Sequence, residues 1–201
     1  MDETEIKGYV KGLVQKYDYY DPIKDRTEAL RFAKLKGNSI LDIGTGRGFV
    51  AILAAKEFKC RITSIDLSED KISIARENAK KEGVLDKITF RVADAGKIPF
   101  QNNSFDAVIS FNALHHSKGN SEKIITEMFR VSKDKVVITE LNELGAKIFD
   151  EYIHPEENHS SMALNLNELI NSLKQNSKVN VLERRLMTTY VCEKSMRRDK
   201  R

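Results

Sequence analysis

The chain has 201 residues, of which 32% are charged and 40% hydrophobic, and its formal net charge is +4. This composition predicts one globular domain with a substantial core, and two cysteines are too few for a disulfide framework or a cysteine zinc site. The polar N-terminus has no apolar signal core, and no run of about 18 apolar residues is present. We therefore expect a cytoplasmic protein without a membrane span.

The apolar pattern predicts alternating helices and strands over most of the chain. A helical segment over residues 10–35 comes first. Strands are then predicted over 39–43, 60–65, 87–92, 105–111 and 135–140, and helices over 49–58, 68–82 and 122–131. Such alternation is typical of a parallel, doubly wound sheet with right-handed crossovers.

The C-terminal third follows a different pattern. A helix over 166–173 leads to two β-rich runs, 179–186 and 188–192, which are close enough to form an antiparallel hairpin. The predicted fold class is therefore α/β, a Rossmann-like seven-stranded, mostly parallel sheet with helices on both faces and an antiparallel C-terminal edge hairpin. The least regular part, 141–164, is expected above the C-terminal edge of the sheet, where ligands bind in such folds.

A glycine-rich segment, DIGTGRGF over Asp42–Phe49, follows the first predicted strand and opens a helix. Gly44 and Gly46 allow a tight turn and close approach of a ligand. The dinucleotide fingerprint needs a third glycine where Phe49 stands, and a P-loop needs a Gly-Lys-Ser/Thr sequence that is missing. A compact loop beside an acidic residue favours a ligand without phosphates and with a positive amino group, which disfavours NAD.

Two further acidic positions follow the next strands. Asp66 ends the second strand, where a carboxylate can accept both hydroxyls of a ribose, although an aspartate at a helix start is the alternative. Asp94 and the Ala95 amide follow the third strand and could bind the edge of an adenine, with Leu67 and Ile98 against its faces. Combined with the glycine loop, these positions predict a nucleoside site.

The order and spacing of these segments resemble class I S-adenosylmethionine (SAM) dependent methyltransferases, and among them the group that contains quinone-biosynthesis C-methyltransferases. The resemblance covers about residues 38–141. The segments that carry it are ILDIGTGRG at 40–48, IDLS at 65–68, DAGKIPF at 94–100, SFDAVIS at 104–110, ALHH at 113–116 and EMFRV at 127–131.

The resemblance implies SAM as the cofactor and one domain over 1–201. Within it, 1–37 would be an N-terminal helical cap, 38–141 the cofactor-binding core, and 142–201 a substrate-side insertion with the C-terminal strands. The residues implied around SAM are Asp42, Gly44, Gly46 and Gly48 at the methionine part, Asp66 at the ribose, Leu67, Asp94 and Ala95 at the adenine, and Asn112 near the sulfonium and the amino group.

Methyl transfer from SAM is an in-line displacement that needs no metal, so no metal site is expected. The enzyme's main task is to align acceptor and methyl carbon about 3 to 3.5 Å apart. A general base helps only where the acceptor loses a proton. The candidate bases are His115 and His116, for which shaping the loop is the alternative role. The second-choice candidates are Tyr17, Tyr20, His154 and His159.

The acceptor is predicted to be a small molecule. Methyltransferases of exocyclic amino groups in nucleic acids resemble one another in an Asn/Asp-Pro-Pro-aromatic motif, and here SFNA stands at 110–113. No Pro-Cys nucleophile is present either. An RNA or protein acceptor reached through the basic tail at 194–201 and a non-catalytic SAM-binding protein stay as alternatives.

Overall fold

The computed structural model describes residues 23–35, 39–58, 60–117, 119–153, 165–173 and 177–194. The strands are β1 (Ser39–Ile43), β2 (Arg61–Asp66), β3 (Ile88–Val92), β4 (Phe105–Phe111), β5 (Ser132–Leu141), β6 (Lys178–Glu183) and β7 (Met187–Glu193). The α-helices are α1 (Ile23–Ala33), α2 (Phe49–Glu57), α3 (Glu69–Lys81), α4 (Ser121–Val131), α5 (Glu143–Ile148) and α6 (Leu166–Leu173). No helix in the described ranges is long and apolar enough to cross a membrane.

The seven strands form one sheet in the order β3-β2-β1-β4-β5-β7-β6. The first five strands run parallel, while β7 is antiparallel to both β5 and β6. The predicted fold class is confirmed, including the antiparallel hairpin at the C-terminal edge. Strand order reverses between β1 and β4, which makes their carboxyl ends the switch point where doubly wound sheets bind ligands.

The core lies on both faces of the sheet because its central strands are apolar at successive positions. Ile40 and Leu41 on β1 are both fully buried, yet they belong to two different apolar clusters. Successive side chains of a strand point to opposite faces, so a continuous apolar run requires cover on both. The covered sheet leaves the ends of its strands as the place for a ligand.

The segment after β5 is more regular than the sequence predicted. Asn142 caps α5 by accepting a hydrogen bond at Oδ1 from the amide of Gly145 (2.9 Å), and a π-helical turn, Phe149–Ile153, follows. The prediction of irregular structure is wrong for this part, and 154–164 lie outside the described residues. β6 also ends at Glu183, not at the predicted Leu186, because the amide of Arg184 turns to the carbonyl oxygen of Met187 (2.8 Å). Leu186 lies buried in this connection to β7.

Candidate cofactor site and active site

A cavity of about 700 Å³ opens at the carboxyl ends of the parallel strands, beside the switch point between β1 and β4. This volume lies within the range of about 300 to 1,000 Å³ that is typical of small-molecule sites. The structure brings most of the predicted site residues to this one cavity. Those that line it are Gly44, Gly46, Asp66, Leu67, Asp94, Ala95, Asn112, His115 and His116.

The three glycines of the loop have positive φ angles, and each has different surroundings. A Cβ on Gly44 would lie 2.4 Å from Cβ of Ala113, so only glycine lets the loop approach the end of β4 this closely. A Cβ on Gly48 would lie 3.0 Å from Cβ of Ala75 on α3. A Cβ on Gly46 would meet nothing within 4 Å. Gly46 therefore borders open space, whereas Gly48 packs behind the cavity wall.

Asp66 joins the end of β2 to the glycine loop. Its Oδ2 accepts a hydrogen bond from the amide of Gly46 (3.0 Å), and its Oδ1 accepts one from the amide of Ser68 (3.0 Å). These two bonds fix the carboxylate on the cavity wall. Each carboxylate oxygen has a further lone pair, so the group keeps the capacity to accept the two hydroxyls of a ribose.

The adenine end predicted from the sequence is built by the turn after β3. Oδ1 of Asp94 accepts a hydrogen bond from the amide of Gly96 (2.7 Å), which fixes the side chain in the 3₁₀ turn Ala95–Lys97. Leu67 is 72% exposed at the cavity, which suits an apolar surface for a ring. Ile98 instead packs in the core and does not line the cavity, so its predicted contact with the adenine is wrong.

Asp42 supports the loop from behind instead of lining the cavity. Its carboxylate is 1% exposed and accepts a hydrogen bond from Oγ of Ser64 (2.6 Å), which is itself 2.7 Å from Oγ1 of Thr45. Burial raises the pKa of Asp42 to about 7, while the Ser64 hydrogen bond and the charge of Arg26 act in the opposite direction. The structure therefore places Asp42 and Gly48 behind the cavity wall, where they support the loop that the resemblance implies around the methionine part of SAM.

Asn112 has a buried acceptor that fits a bound donor. The residue follows β4 in the left-handed region, with φ 50°, and its Nδ2 lies 3.9 Å from Sδ of Met187. Its Oδ1 is buried and accepts no hydrogen bond from the described part of the protein. A buried acceptor left unsatisfied costs about 1 to 3 kcal/mol, so this wall of the cavity suits a ligand with a donor, such as the amino group of SAM.

His115 is held by a residue that motif reading missed. Its Nδ1 lies 2.5 Å from Oε2 of Glu140 at the end of β5, and both side chains are buried. The His116 ring is tilted by 49° against the His115 ring, with 4.0 Å between the centroids. A glutamate at the carboxyl end of a parallel strand is the sequence signal that could have indicated this pair, because such strand ends meet at one edge.

Arg26 on α1 is the second residue of the site that the motifs missed. Its guanidinium lies 4.6 Å from the ring centroid of Phe111 and 5.9 Å from that of Phe49, and it borders the cavity. Its position on a polar helix gave no signal. The second-choice bases Tyr17, Tyr20, His154 and His159 lie outside the described residues.

A glycine loop and two carboxylates at the ends of adjacent parallel strands define a nucleoside-binding α/β protein. The family model described as "Methyltransferase domain" matches residues 34–193. The chain therefore belongs to this methyltransferase family, and the class predicted from the sequence, class I SAM-dependent methyltransferases, is confirmed.

Individual relatives agree with this assignment. Norajmaline N-methyltransferase of Rauvolfia serpentina is 35% identical over 111 residues, which are 52% of this chain and 38% of that protein. Demethylmenaquinone methyltransferase of Bacteroides fragilis is 34% identical over 120 residues, 58% of this chain and 49% of that protein. The chain thus spans half or less of the length of these curated relatives.

Solved structures show the shared fold. A SAM-dependent methyltransferase from Aquifex aeolicus superposes with a TM-score of 0.68 at 19% identity, over 96% of this chain and 98% of that one. Its match extends over nearly the whole of both chains, so the two proteins share one fold.

Proposed function

We propose that this chain transfers a methyl group from SAM to a small-molecule acceptor. The observation that carries the proposal is the convergence of the glycine loop, Asp66 and Asp94 on one cavity at the switch point of the sheet. When bound, SAM supplies a methyl group made electrophilic by its positively charged sulfur. The protein's share of the work is then to orient the two reactants, to exclude water and to move a proton where the acceptor has one to lose.

Different residues of the cavity would bind different parts of the cofactor. Asp66 would accept from the ribose hydroxyls, and Asp94 with the Ala95 amide would bind the adenine edge beside Leu67. Oδ1 of Asn112 would accept from the amino group of the methionine part. This division agrees with the buried acceptor on Asn112 and with the exposed apolar surface of Leu67.

His115 is the candidate general base, and Glu140 is its positioning residue. Accepting from Nδ1–H, the Glu140 carboxylate favours the tautomer in which Nε2 is the basic nitrogen of the ring. This arrangement suits an acceptor that loses a proton during the transfer. His116, which also lines the cavity, stays as the second candidate.

The names of the relatives support a small-molecule acceptor, since norajmaline and demethylmenaquinone are both small organic molecules. The cytoplasmic location and the three-part division of the chain, with its substrate side over 142–201, stay predictions. The preference for a small molecule over RNA or protein as the acceptor is a prediction as well.

Calorimetric titration with SAM, S-adenosylhomocysteine (SAH) and NAD tests the cofactor. We expect micromolar binding of the two adenosyl ligands, a loss of affinity of at least about tenfold in Asp66→Ala, and no binding of NAD. Binding of NAD alone would overturn the interpretation of the glycine loop.

Transfer of labelled methyl groups to a panel of small molecules, RNA and protein then identifies the acceptor. Label found only in RNA or protein would contradict the small-molecule proposal.

A further inference from the structure

The amino-acid end of SAM carries a carboxylate as well as an amino group, and the site residues proposed so far include no cation for that carboxylate. Asp66, Asp94 and Leu67 face the adenosine, and Asn112 offers an acceptor. A carboxylate taken from water into a cavity needs charge-assisted donors. Among the described residues, the arginines and lysines that border the cavity are Arg26, Arg47 and Lys71.

Arg26 is placed at the glycine-loop end of the cavity. Its guanidinium lies over the rings of Phe111 and Phe49, at 4.6 and 5.9 Å from their centroids. Phe111 directly precedes Asn112, and Phe49 begins α2 directly after the glycine loop. Contact with both rings therefore fixes the guanidinium between the ends of β1 and β4, away from the turn after β3 that carries Asp94.

The effect of Arg26 on a neighbouring carboxylate also places its guanidinium near the glycine loop. The charge of Arg26 lowers the pKa of Asp42, against the raising effect of burial, so the guanidinium acts on the carboxylate directly behind the glycine loop. Arg47 is exposed, and its guanidinium carbon lies 6.0 Å from the centroid of Phe49. Lys71 lies on α3 beyond Ser68, on the side of the predicted adenosine. Of the three cations, Arg26 is the one aligned with the methionine end.

We propose that Arg26 binds the carboxylate of the methionine part of SAM, an inference that rests on the proposed function. A guanidinium presents a planar pair of N–H donors that matches the two oxygens of a carboxylate. Because two aromatic rings already hold the guanidinium in place, less side-chain freedom remains to be lost on binding. The same chemistry would suit a carboxylate on the methyl acceptor, and the experiment separates the two sources.

The test compares SAH with 5′-methylthioadenosine, which keeps the adenosine and the sulfur but lacks the amino-acid part. Calorimetry is run on the wild type, Arg26→Ala and Arg26→Gln, the last of which keeps part of the packing on the rings. We expect both variants to bind SAH about 10 to 100 times more weakly and methylthioadenosine within about twofold of the wild type. Arg31→Ala is the matched control, because Arg31 lies on the same helix, 66% exposed and paired with Glu57.

Each other result overturns the proposal. Unchanged SAH affinity in both variants would place the carboxylate elsewhere, including the case in which Arg26 serves the acceptor. Equal weakening of both ligands would assign Arg26 to the shape of the cavity. A wild type that binds methylthioadenosine as tightly as SAH would show that no group recognises the carboxylate. A wild type that binds neither ligand would overturn the proposed function itself. This outcome is seen with the wild type alone, so it is distinct from a failure of the Arg26 proposal.

Discussion

At the scale of single residues, Glu140 shapes the candidate active site by using both of its carboxylate oxygens. Oε1 accepts from the amides of Ala113 (3.0 Å) and Leu114 (2.8 Å), and Oε2 binds Nδ1 of His115. The loop after β4 and the imidazole ring are therefore fixed by one buried side chain on β5. Removing a buried carboxylate with this many hydrogen bonds would disrupt the loop. The residue is therefore best tested by a substitution of the same size and shape.

We expect Glu140→Gln to slow methyl transfer about 10- to 100-fold with little change in SAH affinity, given the usual effect of altering a group that supports a catalytic residue. The glutamine can still accept from the two amides through its oxygen, but its NH₂ group cannot accept from Nδ1–H of His115. Single-turnover rates with the identified acceptor and calorimetry with SAH measure the two effects.

A double variant separates positioning from a general structural effect. If Glu140 acts through His115, Glu140→Gln should add little to the loss already caused by His115→Ala. Additive losses would contradict that role. The control is Glu143→Gln, the same change at an exposed position three residues along the chain, which should keep the wild-type rate.

At the scale of elements, the sequence predicted the helices and strands whose ends are determined by neighbouring residues in the chain. β1, β4 and α6 have the predicted bounds, because each is an apolar run or stripe bordered by polar residues or turn formers. α5 could not be predicted, since it depends on contacts across the fold. Its cap, Asn142, also donates through Nδ2 to the carbonyl oxygens of Arg184 and Arg185, which are 42 and 43 residues away.

The packing of α5 against the connection between β6 and β7 can be tested at Gly145. A Cβ at this position would lie 1.9 Å from the carbonyl oxygen of Leu186, so helix and backbone must separate to accommodate it. We expect Gly145→Ala to lower the free energy of unfolding by about 1 to 3 kcal/mol, even though alanine is the better helix former by about 1 kcal/mol. Urea denaturation measures the change.

The matched control for this packing is Lys147→Ala on the same helix, where the side chain is 68% exposed and the free energy of unfolding should stay within about 0.5 kcal/mol of the wild type. Unchanged or increased stability in Gly145→Ala would mean that α5 can move away from Leu186 without cost. In that case the close contact would not be what holds the helix against the connection between β6 and β7.

At the scale of the whole molecule, topology explains which parts of the site the sequence could predict. Parallel strands end at the same edge, so Asp66 and Asp94, each placed just after or at the end of a strand, had to meet there. Arg26 reaches the same cavity from α1, and Glu140 on β5 holds the loop of His115 beside it, both by tertiary packing that no short motif encodes. For Asp42 the motif alone was not sufficient. Its position beside the glycine loop suggested a place around the ligand, whereas the side chain is buried in the interior of the fold.

The buried carboxylate of Asp42 should make the stability of the whole protein depend on pH. Burial raises its pKa from an ordinary 3.8 to about 7 in the folded state. Between these values the folded protein holds a proton that the unfolded chain has released, so the free energy of unfolding falls as the pH rises and levels off above about pH 7. Relative to Asp42→Asn, the free energy of unfolding of the wild type should fall by roughly 2 to 3 kcal/mol between pH 5 and pH 8.

Urea unfolding of both proteins at the two pH values measures the difference, with Asp86→Asn, a change at an exposed position, as control. Parallel pH dependence in the wild type and Asp42→Asn would show that the Asp42 carboxylate is already charged in the fold at pH 5.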